Sequence, residues 1–171
     1  MVHTILEDII LAKNSGAYIA ALALALTIPD VCGQQQYGKK KFGQHYIDWF
    51  DSWVYQFYSF PDSTNSYISK SVSASKFDGQ KCYALRCALL HAGNTELNIT
   101  NVNKFELCVS GISNHCGDTF ICNVSDNQAT NIQICLNVVG LIDAMLMGAK
   151  NYLDSTGNVS DSYGNIVIEL Y

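Results

Sequence analysis

Arg86, the only arginine of the 171-residue chain, precedes His91 by five positions in the segment Tyr83-Ala-Leu-Arg-Cys-Ala-Leu-Leu-His-Ala-Gly. Both are polar groups set into an apolar run, and their chemistries complement each other. A guanidinium is a permanently charged fork of donors that fits a phosphate or a carboxylate, and an imidazole gives or takes a proton near neutral pH. Together they suit phosphodiester cleavage by a ribose 2′-OH attacking its own phosphate. That reaction needs one proton removed, another delivered, and charge on the phosphorus oxygens stabilised. It requires no metal and no cofactor. On an α-helix, five residues turn through about 140° net and rise about 7.5 Å, so the two side chains of one helix diverge. Two copies related by a two-fold axis could gather two arginines and two histidines around one cleft, and a homodimer is therefore part of the expectation.

An arginine, four intervening residues and a histidine near the end of a helix resemble the Arg-x4–6-His motif of HEPN domains. The match covers this helix and the general helical layout. The resemblance implies a helical domain that acts as a metal-independent endoribonuclease, in the manner of toxins and antiphage defence effectors that work as dimers. It further implies that Arg86 holds phosphate, that His91 is the acid or base, and that the partners are RNA, a second copy of the chain and an antitoxin or other protein. The residue after the arginine, usually polar in active members, is Cys87 here. The Tyr found two residues after the histidine in toxins paired with nucleotidyltransferase antitoxins is Gly93.

The same residues also carry a structural reading. Arg86 would then pair with Asp48, Asp51 or Glu96, and His91 would cap the helix C-terminus, where cations are favoured. The chain would in that case be a non-catalytic interaction or scaffold module, binding another protein through its aromatic helix or a sheet edge. His115 and Cys116, with Cys108 and Cys122, lack the paired Cys-x2-Cys spacing of zinc knuckles. His3 and His45 show no partners in the sequence.

Composition narrows the classes. With 49% apolar and 15% charged residues the chain is too apolar for a disordered segment, and its length suits one domain over residues 1–171. A net charge of −5 excludes a broad basic face for nucleic acid, so any RNA chemistry must use a small local site. The seven cysteines are odd in number and spread through apolar segments, which reads as reduced thiols in a cytoplasmic protein. The Asn-x-Ser/Thr sequons at Asn98, Asn123 and Asn158 are what an Asn- and Ser-rich chain produces by chance. Residues 17–28 are apolar, but acids precede them and the run is too short to span a bilayer, so a buried helix is expected and no membrane.

The elements that must position the pair follow from periodicity. Residues 4–14 read as an amphipathic helix and 17–28 as a second one stopped by Pro29 and Gly33. Residues 34–43 read as a polar connection. Tyr46, Trp49, Phe50, Trp53 and Phe57 fall at helical steps and mark a core-facing stripe. Residues 59–76 read as a loop, and Asp78 as the cap of the helix that carries Arg86 and His91. Alternation at Phe105, Leu107 and Val109, and again around Phe120, Ile121 and Val124, predicts a β-hairpin inserted near 103–124. A long helix over 129–153 and a strand over 166–170 complete the pattern. The expected class is mainly α (α+β), a helical bundle with a small antiparallel sheet formed by the hairpin and the C-terminal strand.

Overall fold

The structure, a computed structural model, describes residues 2–58, 77–90, 102–109, 120–125 and 128–157. The chain is mainly helical, with a small sheet. Helix α1 (Val2–Asn14) forms a hairpin with α2 (Tyr18–Ala25), an apolar helix whose Ala21, Leu22 and Ala25 are buried. Helix α2 ends earlier than its hydropathy predicts. Thr27 donates its hydroxyl to the Leu24 carbonyl at 2.7 Å, and Pro29 then opens α3 (Ile28–Tyr37) instead of closing α2. A proline lacks only an N–H that the first turn of a helix leaves unused, so it starts a helix as readily as it stops one.

Helix α4 (Gln44–Trp53) carries the aromatic stripe inward, with Tyr46, Trp49 and Phe50 fully buried. Trp49 and Trp53 meet Tyr152 of α6 edge to face, at centroid distances of 5.8 and 5.4 Å. Tyr46, Trp49 and Phe50 of the stripe are core, and Trp53 and Phe57 are half-buried at its edge. Helix α5 (Gly79–Leu90) starts at Asp78, whose Oδ1 accepts from the Lys81 N–H at 3.0 Å, as expected of a cap. Helix α6 (Val138–Thr156) starts at Asn137, whose Oδ1 accepts from the Gly140 N–H, and packs against α2 and α4.

Strands β1 (Val102–Cys108), β2 (Phe120–Ser125) and β3 (Gln128–Asn137) form a sheet in the order β1-β3-β2. The predicted strands exist, but they do not pair with each other as a hairpin. Both flank β3, β1 in parallel (Phe105 opposite Ile134) and β2 in the opposite sense (Cys122 opposite Ile132). The antiparallel sheet expected from sequence is thus corrected to one with a parallel pair. The sequence pattern places residues 129–137 at the start of the long helix, but they belong to β3. Ile132, Ile134 and Leu136 instead alternate with period two, and the helical stripe holds only from Val138 onward. The expected strand at 166–170 and the loop at 59–76 lie outside the described residues. Among those described, no helix is long and apolar enough to cross a membrane.

Two glycines set how closely the helices meet. A Cβ on Gly33 of α3 would fall on the His45 carbonyl and within 3.3 Å of Trp49 Cβ, and one on Gly79 of α5 would fall 2.6 Å from the Ile47 carbonyl. Backbone therefore touches backbone at both junctions. Alanine normally stabilises a helix over glycine by roughly 0.5–1 kcal/mol. At Gly33 the sign reverses: Gly33→Ala should lower the unfolding free energy by about 1–3 kcal/mol, the usual cost of overpacking. Denaturant titration checks this, and an unchanged or raised midpoint would contradict the close approach.

Candidate functional site

Asp30, one turn before Gly33 on α3, lies where α3, α4 and α5 converge. Its Oδ2 accepts from Arg86 Nη2 at 2.7 Å, and its Oδ1 lies 3.0 Å from His45 Nε2. A carboxylate only accepts, so the His45 proton in this contact sits on Nε2. Each partner comes from a different helix: His45 from the first turn of α4, and Arg86 from α5. Gly33 makes the first contact feasible by letting the start of α4 settle on α3. The second depends on the docking of α5, whose first N–H, on Gly79, donates to Asp51 Oδ1 of α4 at 2.7 Å. One turn along α5, Cys82 Sγ meets the Tyr46 hydroxyl at 3.3 Å, and Tyr83 meets the Tyr46 ring edge to face at 5.4 Å. Arg86, four residues after Cys82, continues that face to Asp30.

Burial and charge grade the site. His45 is 5% exposed, whereas the side chains of Arg86 and Asp30 keep 21% and 23% of their surface. Burial disfavours the Arg86 cation, but the adjacent Asp30 charge, together with a hydrogen bond to Cys87, holds its pKa above the ordinary arginine value. The guanidinium is charged at every relevant pH. Burial pushes the Tyr46 hydroxyl well up, with Cys82 adding to the effect, so that buried contact is between neutral groups. The Tyr83 hydroxyl is likewise raised, first by burial and then by Cys87.

The structure places Arg86 against a carboxylate, but not one of those its sequence suggested. Asp48 faces Lys40 Nζ and Gln44 Nε2, both at 2.7 Å, and the hydrogen bond from Lys40, then that from Gln44, lowers its pKa. Asp51 serves the α5 N-terminus, where burial raises its carboxyl. His91, Glu96 and Gly93 lie outside the described residues, which end on this helix at Leu90. His115 and Cys116 also lie outside them. Among the described residues no group of three His, Cys, Asp or Glu is placed to hold a metal ion. His3 lines a shallow, mostly apolar groove with Leu6, Ile10 and Met147.

Sequence reasoning passed over Asp30 and His45. The available signal was Pro29: read as the first turn of a helix, it places Asp30 where acids favour the helix dipole and one turn from Gly33. The chain matches no protein-family model, no curated protein and no solved structure.

Cys32 and Cys82 are buried free thiols, and Cys87 is a half-buried one. Burial pushes the Cys32 thiol up to about 12, and only a thiolate attacks an alkylating reagent. In the native protein at pH 8, iodoacetamide should therefore modify the half-buried Cys87 well before the buried Cys32 and Cys82. Mass spectrometry of the peptides checks this order, and early labelling of Cys32 would contradict the burial of α3.

Proposed function

We propose that this chain is a HEPN-like, metal-independent endoribonuclease that acts as a homodimer, with Arg86 holding phosphate and His91 serving as acid or base. The observation that supports the reading is the state of Arg86. An ion pair within the chain is what the structural reading expects of Arg86, and it forms with Asp30 at 2.7 Å, but a fifth of the side chain stays exposed beside it. An arginine oriented before its ligand arrives loses less side-chain entropy on binding. The acidic overall charge suits a local site of this kind and not a broad RNA-binding face. Free thiols fit a reducing, cytoplasmic setting, and a toxin or antiphage defence role follows from the resemblance of the Arg-x4-His segment.

The second reading, a non-catalytic interaction or scaffold module, draws on the same ion pair, because a salt bridge within one chain can serve only to join α3 to α5. The two readings part in a simple assay. Purified chain should cleave single-stranded RNA in the presence of EDTA and sediment as a dimer. His91→Ala should lower the rate by roughly 10²–10⁴-fold, the usual worth of acid–base catalysis, and Arg86→Ala by roughly 10²–10³-fold, the usual worth of one donor to developing charge. Cleavage that His91→Ala leaves unchanged, or that EDTA abolishes, would end the ribonuclease proposal.

A further inference from the structure

From the geometry around Asp30 we infer that Asp30 and His45 are positioning residues that aim the Arg86 guanidinium at an RNA phosphate, an inference that rests on the ribonuclease reading. The carboxylate is held by one partner on each oxygen, His45 Nε2 at 3.0 Å and Arg86 Nη2 at 2.7 Å. With both oxygens engaged, the carboxyl plane is fixed, and it fixes the guanidinium that leans on it. His45 is suited to be the immobile end of this chain. It is 5% exposed, it sits in the first turn of α4 directly over Gly33, and its Nδ1 meets no hydrogen-bond partner among the described residues. A buried ring with one unsatisfied nitrogen costs stability, because that nitrogen has given up water without gaining a protein partner. An apolar residue would fill the site more cheaply. What His45 supplies that an apolar residue cannot is the N–H on Asp30. Its ring is too enclosed to meet a substrate, so it acts through Asp30 and Arg86.

Arg86 is the only arginine in the chain, so its Nε–Hε group gives a unique arginine side-chain signal in a ¹⁵N–¹H spectrum. Three variants decide the matter: His45→Leu, which fills the space and removes the N–H; His45→Gln, whose amide can restore it; and Asp30→Asn. In the wild type the Arg86 signal should be sharp and should shift when a fully 2′-O-methylated, non-cleavable oligoribonucleotide is added. His45→Leu and Asp30→Asn should broaden or displace the signal and weaken oligonucleotide binding about tenfold, as loss of orientation does. His45→Gln should restore both. Thermal unfolding of each variant establishes that it is folded, and a merely structural His45 would change the melting temperature while leaving Arg86 dynamics and binding untouched. An Arg86 signal indifferent to His45→Leu and Asp30→Asn in folded protein overturns the positioning role. A wild-type signal that ignores the oligonucleotide, while still responding to the substitutions, overturns the RNA reading beneath it.

Discussion

A single carboxylate, on Asp30, receives side chains from two other helices, and the packing of all three has to be correct for both contacts to form. The α3–α4 junction is set by the backbone contact at Gly33, which brings His45 over the first turn of α3. The α4–α5 junction is set by Gly79 and by Asp51 on its N–H, and it delivers Arg86 four residues beyond the Cys82 contact with Tyr46. The aromatic core holds the far side of α4. Because Trp49 and Trp53 both pack on Tyr152 of α6, the helix that carries His45 cannot roll without disturbing the largest buried side chains.

Magnitudes indicate why the polar cluster is informative. Truncating a buried aromatic of the Trp49 kind costs roughly 3–5 kcal/mol, whereas a partly exposed ion pair contributes on the order of 0–1 kcal/mol. The core thus carries the stability, and the Asp30 cluster adds little to it for the desolvation it incurs. Its more evident product is orientation: a charged guanidinium whose direction is set while part of it stays in solvent. Under the proposed function a phosphate would meet an arginine already oriented, with its donors in a fixed plane.

Much of the architecture was legible from side-chain periodicity. The aromatic stripe of α4, the Asp78 cap and the existence of two strands followed from spacing alone, because each depends on neighbours close in sequence. The errors arose where distant contacts decide. Pro29 reads as a stop in the sequence because proline ends as well as begins helices, and only the packing of α3 distinguishes the two. Residues 128–137 satisfy a helical stripe on paper, but pairing with β1 and β2 selects the extended form. The structural reading of Arg86 pairs it with a carboxylate, and the sequence suggests Asp48, Asp51 or Glu96 for it. The partner came from α3, 56 residues away, a relation no local spacing could display.

The central claim is that Asp30 and Arg86 act on each other across α3 and α5. A double-mutant cycle on unfolding free energy, built from Asp30→Asn, Arg86→Gln and the double variant, measures that directly. Residues in contact couple by roughly 0.5–3 kcal/mol, and partial exposure places this pair toward the lower end, at about 1 kcal/mol. A coupling of that size, with both single variants folded, is the result this structure predicts. Strict additivity of the two substitutions would contradict it.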